Sequence, residues 1–194
     1  DGGIQRVVLR EDSTGEQMMI LEGEDEVPPD LTFELPISAA YASPDGEVFN
    51  LSGNNALLYE IDGKEFYVSP QSFFQVNLTV AAMMVRHILE QLEGKKDLRV
   101  LELYSGVGLF THLIAPFASE LIAIESSPSA CFNFVDNLDE FDNISLYEGP
   151  VEAILPNLID EIEPIDLVLL DPPRAGMNAK ARQALIKLNP SQII

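Results

Sequence analysis

The stretch that most constrains this chain is Val100-Leu101-Glu102-Leu103-Tyr104-Ser105-Gly106-Val107-Gly108-Leu109-Phe110. Its first half has the length and apolar character of a buried strand, and two closely spaced glycines interrupt it before the apolar pattern resumes. A parallel strand that stops on a glycine loop and restarts as a helix presents unpaired backbone N–H groups to a ligand. The residues around this stretch decide which ligand that is.

The texture on either side predicts an α/β domain. Leu78, Ala81, Ala82, Val85, Ile88, Leu89 and Leu92 recur at helical spacing, so residues 76–92 are expected to form an amphipathic helix ended by Gly94. Strands are expected at 98–103, 120–125, 144–147 and 165–171, alternating with helices near 108–118, 128–139, 151–160 and 178–187. The unbroken apolar run Leu167-Val168-Leu169-Leu170 fits a parallel strand covered on both faces. Ligands of such doubly wound sheets bind outside the carboxyl ends of the strands. Residues 102–108, Glu125, 148–151 and 171–176 are therefore the ones to question.

The first third of the chain reads differently. Short aliphatic runs at 4–10 and 17–22 flank Asp12-Ser13-Thr14-Gly15, a hairpin turn signal. An acidic, proline-bearing link at 24–30 precedes further runs at 32–35, 38–42 and 56–61, with Asp62-Gly63 the clearest turn among them. This predicts a small β-rich subdomain over residues 1–66, with the α/β domain occupying 67–194. No internal repeat or low-complexity tract is present.

Charge and composition narrow the partners. The net charge is −21, and residues 1–66 hold fifteen Asp or Glu against three Lys or Arg. That balance repels nucleic acid, so weak or absent RNA binding is expected of this stretch by itself. Cys131 is the single cysteine and His87 and His112 the only histidines, which excludes an internal disulfide and a metal centre built on several thiolates or imidazoles. Neither a membrane span nor a signal peptide pattern is visible, and a cytoplasmic protein is expected.

Three acids and two glycines carry the chemistry. Gly106 and Gly108 permit positive φ and close approach of a ligand to the backbone, although a tight structural turn has the same sequence. A dinucleotide fingerprint has a third glycine where this chain has Thr111. Glu102 beneath the loop repels a pyrophosphate and welcomes an ammonium or sulfonium. Glu125, at the end of the second strand of the domain, has the position of an acid that accepts hydrogen bonds from ribose hydroxyls, or that caps the following helix with Ser126 and Ser127. Asp171-Pro172-Pro173-Arg174-Ala175-Gly176 ends the fourth strand, and its prolines hold the Asp171 carboxylate at a fixed height, able to orient a polar or cationic group. Ser69-Pro70-Gln71-Ser72-Phe73-Phe74-Gln75-Val76-Asn77 is either a pocket floor or a helix cap and staple.

Taken together, Ser69-Pro70 with Phe73-Phe74-Gln75-Val76-Asn77, Leu103-Tyr104-Ser105-Gly106-Val107-Gly108, Glu125, and Asp171-Pro172-Pro173-Arg174-Ala175-Gly176 resemble the RNA uracil-C5 methyltransferase family, whose members make 5-methyluridine in tRNA or rRNA. The resemblance implies a Rossmann-like class I methyltransferase sheet, incomplete at its C-terminal side, with S-adenosylmethionine as cofactor and RNA as partner of the intact enzyme. It implies that Gln75, Tyr104, Gly106, Gly108, Glu125 and Asp171 contact the cofactor and that Asp171 also orients the target base. The family's cysteine nucleophile and glutamate base lie beyond the position matched by Ile194. The expectation is thus a fragment that binds cofactor without completing the reaction, and that self-associates through an exposed sheet edge. Cys131 lies among Phe132, Phe134 and Val135 on a helix, as a buried inert thiol does. A methyltransferase for another RNA position and a non-catalytic cofactor-binding module remain the alternatives.

Overall fold

The computed structural model describes residues 3–32 and 36–194, which fall into two compact units, Asp1–Phe73 and Phe74–Ile194. The run expected at 32–35 lies, from position 33 on, outside the described residues.

The first unit is β-rich. Strands β1 (Ile4–Glu11), β2 (Gln17–Gly23), β3 (Ser38–Ala42) and β4 (Val48–Ser52) form one sheet in that order. β1–β2 and β3–β4 are antiparallel, whereas β2 and β3 run parallel. The hairpin of β5 (Leu57–Ile61) and β6 (Lys64–Val68) turns on Asp62 and Gly63, both at positive φ as a tight hairpin turn requires. Met18, Ile20, Tyr41, Leu57, Phe66 and Val68 are buried and make its core.

One carboxylate ties the first turn to this hairpin. Asp12 Oδ1 accepts hydrogen bonds from the Thr14 N–H, the Thr14 hydroxyl and the Glu16 N–H, while Oδ2 accepts the Leu58 N–H of β5 at 3.0 Å. The Asp-Ser-Thr-Gly turn is therefore fixed both locally and at long range.

In the second unit, a five-stranded parallel sheet has the order β11-β10-β7-β8-β9. Its strands are β7 (Leu98–Leu103), β8 (Ala118–Glu125), β9 (Ile144–Glu148), β10 (Leu167–Leu170) and β11 (Gln192–Ile193). The helices are α1 (Leu78–Leu92), α2 (Leu109–Ile114, followed by a 3₁₀ turn at Ala115–Phe117), α3 (Pro128–Asn137), α4 (Val151–Leu158) and α5 (Ala179–Leu188). Leu101, Leu103, Ile122, Ile124 and Val168 project to one face, where Val151 and Leu155 of α4 and Ala181, Ala184 and Leu185 of α5 bury them. Strand residues alternate between faces, so Val100 and Glu102 project to the opposite face, toward α2.

β7 is the central strand. Chain order runs outward from it to β8 and β9, then returns to its other side as β10. The helices that follow β7 and β10 lie on opposite faces, which opens a crevice between the carboxyl ends of these two strands. The doubly wound α/β architecture expected from the sequence is the one observed. Ala115–Phe117 tighten into a 3₁₀ turn at Pro116, so the predicted helix 108–118 ends early.

Candidate functional site at the carboxyl ends of β7, β8 and β10

The loop after β7 is held in place from three directions. Tyr104 N–H and Ser105 N–H both donate to the Ile124 carbonyl, at 2.9 and 3.2 Å, extending the β7–β8 ladder beyond the strand. Tyr104 has φ 64°, a left-handed conformation uncommon for a non-glycine residue, which turns the chain sharply out of the sheet. Asn137, buried on α3, donates from Nδ2 to the Val107 carbonyl at 3.0 Å. Its position in a helix rich in apolar residues was the sequence signal for this clamp, and it was not read.

The two glycines do different work. Gly108 has φ 91° and caps α2, and a Cβ built there would lie 2.6 Å from Leu138 Cδ1. It is required by packing as well as by backbone conformation. Gly106 has φ 58°, and a Cβ there would meet nothing within 4 Å. The backbone at Gly106 thus borders open space, as a ligand-facing loop does. The Ser105 hydroxyl is buried without a hydrogen-bond partner among the described residues.

Glu125 closes the loop from the β8 side. Its Oε2 accepts the Gly106 N–H at 2.8 Å, and its Oε1 accepts the N–H groups of Ser126 and Ser127, each at 2.8 Å. The carboxylate thus reaches the glycine loop and also receives the two N–H groups that precede α3. Ser127 itself caps that helix by accepting the Ala130 N–H. Each carboxylate oxygen has two lone pairs, so Oε1 is saturated and Oε2 retains one lone pair for a further donor.

On the other side of β7, Gln75 Nε2 donates to Asp171 Oδ2 at 3.3 Å. This contact joins residues 96 positions apart and sets an amide beside the carboxylate that follows β10. Asn77 is the N-cap of α1, its Oδ1 accepting the Val80 N–H at 3.1 Å. A hydrophobic staple is absent, because Val76, immediately before the cap, is 94 % exposed. The Gly176 N–H donates to the Pro173 carbonyl at 2.7 Å, giving the Pro-Pro segment a tight turn, with Arg174 exposed.

Glu102 is the one acid of this region that is deeply buried, at 2 % exposure. Thr111, in the place of the third glycine, donates its hydroxyl to Glu102 Oε2 at 2.6 Å. Burial pushes the Glu102 carboxyl up to about 8. The Thr111 hydrogen bond opposes that rise, and the charges of Asp171 and Glu125 add to it.

The remaining candidates are inert by position. Cys131 is buried on α3, its Sγ donates to the Glu125 carbonyl at 3.5 Å, and burial, with Glu148 and Glu125 nearby, pushes the thiol up to about 11. His112 is buried against Phe141 and lies 3.0 Å from Glu140, whereas His87 is exposed on α1 beside Glu90. Gln75, Tyr104, Gly106, Gly108, Glu125 and Asp171 all lie at the carboxyl ends of the strands or on segments hydrogen-bonded to them.

Such a constellation suits a ligand that carries a cationic part above Glu102 and hydroxyls toward Glu125. The profile of the family described as tRNA (Uracil-5-)-methyltransferase matches residues 55–153, half of the chain. A Lactobacillus johnsonii protein described as an uncharacterized RNA methyltransferase is 31% identical over 76% of this chain and 33% of its own length. A similarly described protein of Streptomyces coelicolor is 32% identical over 85% of this chain and 36% of its own. The chain thus spans roughly a third of the length of these curated relatives. Among solved structures, Pyrococcus abyssi tRNA (uracil-54, C5)-methyltransferase in complex with S-adenosyl-L-homocysteine superposes with a TM-score of 0.74 at 25% identity, covering 100% of this chain and 50% of that one.

Proposed function

The chain belongs to the tRNA (uracil-5-)-methyltransferase family, and on that premise we propose that it forms the S-adenosylmethionine-binding part of an enzyme that methylates C5 of a uridine in tRNA or rRNA. The observation that carries this reading is the convergence of Gln75 and Asp171 at the crevice that also holds the Gly106–Glu125 contact. The residues present fit the cofactor. Gly106 leaves the loop backbone open, Glu125 keeps a lone pair on Oε2 for a ribose hydroxyl, and Glu102 offers a carboxyl with no cationic side chain within ion-pair distance among the described residues.

When bound, S-adenosylmethionine supplies an electrophilic methyl group on a sulfonium. In this reading the loop 104–108 supports its methionine portion, Tyr104 and the Gly106 N–H define the floor, and Glu125 orients the ribose. Asp171 and Gln75 act as one unit: the amide holds the carboxylate in a single orientation, and the carboxylate presents its free oxygen to the target base and the cofactor.

Uracil C5 is a weak nucleophile, so the full reaction calls for a thiolate that adds at C6 and a base that later removes the C5 proton. Cys131 does not meet the first requirement, because its thiol is buried and its ionisation suppressed. We therefore assign this 194-residue stretch cofactor binding without methyl transfer. A cytoplasmic location belongs to the same reading, and among the described residues no helix is long and apolar enough to cross a membrane.

Isothermal titration with S-adenosylmethionine tests the central claim. Saturable binding is expected, weakened at least about tenfold in Glu125→Ala, which removes the ribose contact. Absence of both heat and thermal shift would refute cofactor binding, and methyl transfer to uridine-containing RNA by this stretch alone would refute the division of labour.

A further inference from the structure

Glu102 occupies an unusual place for a carboxyl. It lies on the central strand β7, in register with Ala123 of β8 and Leu169 of β10, with apolar neighbours on both sides. Its recorded partner is the neutral hydroxyl of Thr111, at 2.6 Å. The loop that begins at Tyr104 stands directly above it, two residues along the chain. The acids on its side are Glu125 and Asp171, each two residues beyond its register partners Ala123 and Leu169 and so on the same face of the sheet by strand alternation. His112, the neighbour of Thr111 on α2, lies instead within 3.0 Å of Glu140.

A carboxyl surrounded in this way is disfavoured as an anion, because desolvation is uncompensated by a cation and two like charges oppose it. Bringing a positive charge to the loop reverses that balance. In a site of low effective dielectric, a cation a few ångströms from a carboxyl stabilises its ionised form strongly.

We infer that Glu102 holds a proton in the free protein and releases it to solvent when a cationic ligand occupies the glycine loop, becoming the counter-charge of that ligand. The step is a simple ionisation: the carboxyl O–H bond breaks, its electron pair stays on the oxygen, the proton passes to water or buffer, and nothing is oxidised or reduced. Thr111 keeps its hydrogen bond throughout and fixes the side chain below the loop. This inference rests on the S-adenosylmethionine reading and adds to it a linkage between binding and pH.

The linkage is measurable by titration calorimetry at pH 6.5 in buffers of different ionisation enthalpy, with S-adenosylmethionine, S-adenosylhomocysteine and 5′-methylthioadenosine as ligands. The first two carry an ammonium and the third carries no positive charge. The ligand amino group itself titrates near pH 8, so the measurement is placed below that range. With the wild-type chain, S-adenosylmethionine is expected to release about 0.5 to 1 proton per site, and methylthioadenosine none. Release with S-adenosylhomocysteine as well supports the methionine ammonium as the cation, and release with S-adenosylmethionine alone supports the sulfonium.

Glu102→Gln, which retains an acceptor for Thr111, is expected to bind without proton release. Should that variant fail to fold, the wild-type pH profile still decides: the Kd for S-adenosylmethionine should fall by about tenfold per pH unit between 5.5 and 7. Binding with no proton release and a flat profile overturns the inference while leaving the cofactor reading intact. So does equal release with methylthioadenosine or in Glu102→Gln. Absence of any binding overturns both.

Discussion

At Gly108 the left-handed backbone and the packing of Leu138 and Phe134 both oppose a side chain, while at Gly106 only a modest backbone cost does. Gly108→Ala is therefore expected to lose about 2–4 kcal/mol of stability, from strain at φ 91° and from a contact of 2.6 Å with Leu138. Gly106→Ala sits near the ordinary left-handed well and should lose only about 1 kcal/mol. Its methyl group would enter the space above the loop, so it should weaken S-adenosylmethionine more than it weakens the fold. Urea unfolding beside ligand titration separates the two, and wild-type affinity in Gly106→Ala would contradict the assignment of Gly106 to the ligand. Glu102 makes a second prediction at this scale. Its folded carboxyl titrates near 8, well above an unfolded value of about 4.3. Below pH 4 both states hold the proton. As pH rises from there toward 8 the unfolded chain gives it up first, so the ligand-free protein loses stability over that window and levels off above it. Glu102→Gln should remove this part of the slope and gain more than about 1 kcal/mol over wild type at pH 8 compared with pH 4.

Among the elements, the first hairpin depends on a polar residue as well as on its apolar face. Asp12 accepts four hydrogen bonds, and one of them comes from β5, so Asp12→Ala leaves several backbone and hydroxyl donors without their acceptor. A loss of about 2–4 kcal/mol is expected on chemical denaturation. Burial pushes this carboxyl up, but hydrogen bonds from Leu58, Thr14 and Glu16 outweigh it and hold the group below the usual carboxylate range. Its contribution is present above about pH 4 and disappears as pH falls through the folded value, so variant and wild type should converge in acid. The same region shows where sequence reading stops. The strands of the sheet in the second unit were legible because buried parallel strands are unbroken apolar runs, as in Leu167–Leu170. β4 carries no clear sequence signal, since in Val48–Ser52 no residue is fully buried and the alternation is only weak. β6 was implied by Asp62-Gly63, whose turn chemistry demands a returning strand, yet Lys64–Val68 begins with two charged residues that mask it. At the site, Glu125 and Gly106 were legible through their spacing, which the βα repeat fixes. The contact of Gln75 with Asp171 was not, because no local periodicity relates residues brought together by the order of strands. Thr111 was noticed as a missing glycine, and only the structure shows what its hydroxyl does.

On the scale of the whole molecule, charge opposes the substrate class assigned to it. Thirty-two acidic residues face eleven basic ones, and the net charge is −21. Nucleic acid binding draws most of its affinity from lysine and arginine that displace counterions from phosphates, and repulsion of this size works against encounter as well as affinity. The cofactor escapes this penalty, since a cationic ligand is attracted by the same field that repels RNA. Two affinities of opposite salt dependence follow. Fluorescence anisotropy with an unmodified tRNA transcript at 150 mM salt should show no saturable binding below about 100 µM. Lowering the salt to 50 mM should weaken it further, because the repulsion is then less screened, whereas a protein that contacts several phosphates gains a hundredfold or more. S-adenosylmethionine binding over the same range should weaken modestly as salt rises, because screening acts on an attraction instead of a repulsion. Tight tRNA binding with a steep negative salt slope would mean that a few residues, with Arg174 beside Asp171 the first candidate, concentrate enough positive charge at the crevice to override the rest of the surface. Arg174→Glu would then abolish it. With no such slope, recognition of the RNA belongs to other parts of the relatives' length, and this stretch contributes the methyl donor's site.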